Sequence, residues 1–98
     1  MEIRQKQPAE KLAYTFDFAP VIASTDTVSS IVSIAFTNCG VVAGSTGLTL
    51  SNNVMSGRMA QTTIQGGTDG ESYYGTCKVI DSAGQQHELD GLLEVIEL

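Results

Sequence analysis

The residues that could do chemistry are few. His87 is the single histidine, and the two cysteines are Cys39 and Cys77. A nucleophile needs a base beside it, but His87 stands in His-Glu-Leu-Asp, among carboxylates just past a turn. That context predicts an exposed strand residue. Cys77 shares a strand face with Tyr73 and Val79, and burial there makes it an inert small hydrophobe. One histidine and two cysteines without Cys-x-x-Cys spacing supply too few ligands for zinc. Carboxylates pair at Asp69 with Glu71 and at Glu88 with Asp90. Calcium takes about six to eight oxygens around one centre; Thr-Asp-Gly-Glu-Ser offers two carboxylates and no EF-hand loop, so turn solvation is expected. Gly-Gly-Thr-Asp-Gly, residues 66–70, lacks the Lys-Ser/Thr and the helix of a phosphate loop. The residues point to no catalytic site, no metal, no cofactor and no small-molecule substrate, and hence to a non-enzyme.

The elements that would position these residues read as strands. The chain of 98 residues is one domain's worth. Only 16% are charged, with Ser, Thr and Asn supplying much of the polarity, a composition that favours strands and turns. Residues 1–10 are polar, hold Pro8 and show no period, so they read as a flexible N-terminal arm ahead of a single domain over 11–98. Residues 12–18 alternate, with Leu12, Tyr14, Phe16 and Phe18 on one face. Residues 29–37 form the strongest strand, with Val32, Ile34 and Phe36 facing one way and Ile31, Ser33 and Ala35 the other. Asn38-Cys39-Gly40 reads as a turn. Residues 41–57 suggest two or three short strands, and 58–65 a further one of uncertain inner face. The Gly-Gly-Thr-Asp-Gly turn leads into a strand with Tyr73, Gly75, Cys77 and Val79 facing in. Gly84 supplies the positive φ of a hairpin turn over 81–84. Residues 85–98 fit a helical face as well as a strand; the preceding hairpin and the mid-segment Gly91 favour strand. About seven antiparallel strands at this spacing predict an all-β, two-sheet sandwich.

Charge narrows the partners. The net charge of −6 divides into +1 over the first eleven residues, which hold Arg4, Lys6 and Lys11, and −7 over the rest. An acidic body predicts no nucleic acid and no anionic membrane as partner. The start, MEIRQKQPAEK, has no apolar core, so no secretory signal is expected. Without export the cysteines are expected reduced, with no Cys39–Cys77 disulfide.

Two stretches resemble a known family. KQPAEKLAYTFDFAPVIASTDTVSS, residues 6–30, has a Lys-x-Pro-x-Glu lead, a Tyr-x-Phe-Asp-aromatic strand and an Asp-Thr-Val-Ser turn. GGTDGESYYGTCKVIDSAG, residues 66–84, has a Gly-Gly-Thr-x-Gly turn, a Tyr-x-x-x-Cys-x-Val strand and a Ser-x-Gly hairpin. Both look like the small phage and prophage Ig-like virion proteins of the fibre–tail adaptor type. The chain departs from that family in lacking tryptophan and in placing Gly75 where a β-branched residue is usual. The resemblance implies an immunoglobulin-like, fibronectin-type sandwich. It also implies a structural adaptor acting by protein–protein contacts in the head–tail or tail–fibre region. Its partners would be other phage structural proteins, including a second copy of itself. It would be a virion component made in the bacterial cytoplasm. Ile3, Arg4 and Lys6 on the arm are the candidate partner-binding residues, Arg4 by bidentate contact to a carboxylate. A carbohydrate- or surface-binding Ig-like module is the alternative, with Tyr74 as its best-placed aromatic.

Overall fold

The computed structural model describes residues 2–38 and 47–96. Seven strands run through them: β1 (Glu2–Lys6), β2 (Leu12–Asp17), β3 (Val28–Asn38), β4 (Leu48–Ser56), β5 (Met59–Gly66), β6 (Ser72–Asp81) and β7 (Gln86–Val95). They make two facing sheets, one of order β1-β7-β6-β3 and one of order β2-β5-β4. The described residues contain no helix, so none is long and apolar enough to cross a membrane. The segment that fits both periods is strand.

Pairing is antiparallel throughout except at the first strand. Residues 2–6, expected to belong to a free arm, run as β1 in parallel register with β7, Glu2 opposite Gly91 and Lys6 opposite Val95. The all-antiparallel expectation is corrected there. β1 lies at the opposite edge of its sheet from β3.

The core forms where alternation on both sheets turns inward. Tyr14, Phe16 and Phe18 are buried from one side, and Tyr73, Cys77, Val79, Leu93 and Val95 from the other. Each large apolar side chain so buried contributes about 1.5–3 kcal/mol. The ring of Tyr14 lies 4.9 Å from Phe16 and, edge-on, 5.3 Å from Phe36. Gly75 and Gly91 face each other across β6 and β7. A Cβ on Gly75 would overlap the Phe36 ring, and one on Gly91 the Tyr14 hydroxyl. The aromatic cluster therefore requires glycine at both positions.

β3 departs from simple alternation. Its register against β6 shifts between Val28 and Ser30 and again between Ile31 and Ser33. Each bulge inserts one residue and reverses the parity beyond it. Val28, Ile31, Ile34 and Phe36 therefore pack on the core, while Val32 is turned out and 50% exposed. That corrects the expected face of Val32, Ile34 and Phe36. The short strands expected over 41–57 are, where described, the single strand β4. The apolar piece at 41–44 and the turn from residue 39 lie outside the described residues. β4 bulges between Ser51 and Val54, where Asn52 takes φ 59°.

Candidate interaction surfaces

The titratable side chains singled out by the sequence are spent on structure. His87 is no exposed strand residue. Its Nε2 lies 2.8 Å from Oδ2 of Asp81, which is buried. Asp81 Oδ1 accepts the N–H groups of Ala83 and Gln85 at 3.0 and 2.9 Å. The carboxylate thus ties the β6–β7 turn to the strand beyond it, and Gly84 supplies the φ of 87° that the turn requires. The His87 contact, foremost, and these amides hold the Asp81 carboxyl below the usual carboxylate range, against burial that raises it.

Cys77 is a free, buried thiol whose pKa burial pushes up to about 12. A thiol so placed is not a nucleophile near neutral pH. Cys39 lies outside the described residues. Glu71 turns inward rather than joining Asp69 in solvent. Its Oε1 accepts the Thr68 N–H at 2.6 Å and the Tyr73 hydroxyl at 2.9 Å, pinning the Gly-rich turn. Asp69 is exposed. Glu88 stands 4.0 Å from Lys78, and Asp90 Oδ1 accepts the Thr76 hydroxyl at 3.2 Å. Among the described residues no group of three His, Cys, Asp or Glu is placed to hold a metal ion.

The three arm residues fall on one edge strand with different fates. Ile3 stands beside Leu92 in register, and Arg4 beside Leu93. Lys6 is 1% exposed. Its Nζ donates to the carbonyls of Gln7 at 2.7 Å, Pro8 at 3.1 Å and Gly66 at 2.7 Å. All three ammonium protons are therefore engaged. Burial lowers its pKa, and Glu10 opposes that. Arg4 is half-buried, and among the described residues its guanidinium makes no hydrogen bond or ion pair.

The far flank is different in kind. Residues 27–68 hold one charged side chain, Arg58, at the β4–β5 turn. β3 and β4 contain none, and each is the edge of its sheet. Between them the sandwich is open. An opening of about 330 Å³ is lined by Ser30, Ile31, Val32, Ser33, Asn53 and Met55. Met55 pairs with Ala60, whose side chain is in the core, yet Met55 itself is 47% exposed. Neighbouring Val54 is also 47% exposed. β4 shows little alternation, so no inner face is legible in its sequence; the long uncharged run is the local signal for this flank.

No curated protein matches the chain. The family model described as podophage GP4 fiber-tail adaptor protein gp77 matches residues 6–94, and the chain belongs to that family.

Proposed function

We propose that this domain is a non-enzymatic structural adaptor of the phage virion, joining tail proteins by protein–protein contacts. The family match over residues 6–94 carries the reading. The use of His87, Asp81 and Glu71 as staples for turns, and of Cys77 as core, supports it. On this reading the sandwich is of immunoglobulin type, and the protein is made in the host cytoplasm and built into the virion. Its acidic body disfavours nucleic acid and anionic membranes.

The first strand is the edge offered to a tail protein. Ile3, Arg4 and Lys6 lie along it; Arg4 is the contact that a partner's carboxylate would complete, and Lys6 holds the strand in place. Mixing the purified domain with the recombinant tail proteins of its phage and sedimenting the mixture tests this. The expected result is a discrete complex that Arg4→Ala weakens by about tenfold or more, as for a lost charge-assisted contact. Failure of every tail protein to bind overturns the adaptor reading. Binding on a glycan array that is lost in Tyr74→Ala would favour a carbohydrate module instead, since Tyr74 is 36% exposed on the outer sheet face.

A further inference from the structure

We propose that the open edge between β3 and β4 is a self-association surface, where two copies of this chain dock about a two-fold axis. The inference stands on that edge and not on the adaptor reading.

Natural sheet edges are guarded by charge, proline or bulges. β3 and β4 carry no charge and no proline, and bulges are their only guard. Their exposed apolar side chains do not close the sandwich. Val32, turned out by its bulge, and Met55, on the inner face, stand about half exposed at the two lips of the 330 Å³ opening. The patch therefore offers both a projecting side chain and a space for one. A surface with both on the same patch is self-complementary, the requirement of an isologous contact. Under a two-fold axis the Met55 side chain of each copy enters the opening of the other. Methionine suits that role because its unbranched chain adapts to an irregular space.

Charge selects the occupant. Each copy carries −6, so most pairings of its surfaces bring carboxylates together. β3 and β4, which hold no charged side chain, form the flank on which two such copies meet without like charges opposed. A basic partner would instead be drawn to the acidic strands β6 and β7, where Glu88, Asp90 and Glu94 stand against Lys78.

Sedimentation velocity of the full chain, from micromolar to submillimolar concentration, tests the proposal. The expected result is a monomer–dimer equilibrium that tightens or holds as salt rises from about 0.1 M to about 0.5 M, because no ion pair is screened. Val32→Glu and Met55→Glu should each weaken the dimer by about tenfold or more. Tyr74→Ala, on the outer sheet face, should leave it unchanged. Hydrogen exchange of the wild-type chain at low and high concentration needs no variant, and should show added protection in 28–38 and 48–56. A monomer at every concentration overturns the proposal, as does a dimer insensitive to both glutamates or protected elsewhere. A series that grows beyond two copies overturns the two-fold form. A monomer that still binds a tail protein overturns the dimer while leaving the adaptor reading standing.

Discussion

At the scale of single residues, the informative positions are those whose identity a distant group dictates. Gly75 interrupts a strand where a β-branched residue would suit the ladder, and nothing nearby in the chain explains it. The explanation is the Phe36 ring on the neighbouring strand. Gly75→Val should therefore lose about 1–3 kcal/mol of stability through overpacking. Urea unfolding reads this as a lower midpoint at unchanged slope; wild-type stability would refute the steric account. Asp81 tests the hairpin. Its folded pKa lies below the unfolded value of about 3.9, so its contribution is present above that value and is lost as pH falls through the folded pKa. Asp81→Asn should melt below wild type at neutral pH, with the gap narrowing in acid. A gap of constant size from neutral to about pH 3 would sink the electrostatic part of the argument.

At the scale of elements, alternation located strands and tertiary pairing decided their parity. The apolar run of β3 was legible. Which of its side chains face inward was not, because two bulges moved Val32 out and Ile31 in. β1 was illegible for a different reason. Five residues rich in charge show no period, and they become a strand because β7 offers its edge and Lys6 finds carbonyl acceptors at the end of the sandwich. Lys6→Met keeps the aliphatic stem and removes the ammonium, leaving those acceptors without its protons. The expected cost is about 1–3 kcal/mol, with faster amide exchange at Ile96, whose N–H bonds to the Lys6 carbonyl at 2.8 Å. Exchange unchanged along β1 and at Ile96 would show that the ammonium does not hold the strand.

At the scale of the whole molecule, an elongated body of 45 × 20 × 20 Å joins its first strand to its last. β1 pairs with β7, β3 with β6 and β2 with β5, so most of the ladder waits on closure of long loops. Folding should be slow for the chain's size, in the range of milliseconds to seconds, and single-exponential in a stopped-flow denaturant jump. Completion within microseconds would contradict this topology. The same topology leaves two different flanks: β1 with Arg4 at one edge of the four-stranded sheet, and the uncharged β3–β4 mouth at the other side.

The sequence by itself determined the all-β class, the strands read at 12–18 and 29–37 to within a residue at each end, the strand whose Tyr73, Gly75, Cys77 and Val79 face inward, and the glycine turn at 84. Period-2 alternation and turn chemistry are local properties, readable within a few residues. Only the tertiary structure decided that β1 is a paired strand, that His87 and Asp81 form one staple, and that Val32 and Met55 share an opening. Each of those depends on groups brought together from separate strands or across a turn, and a bulge or a missing neighbour leaves no periodic mark in the chain.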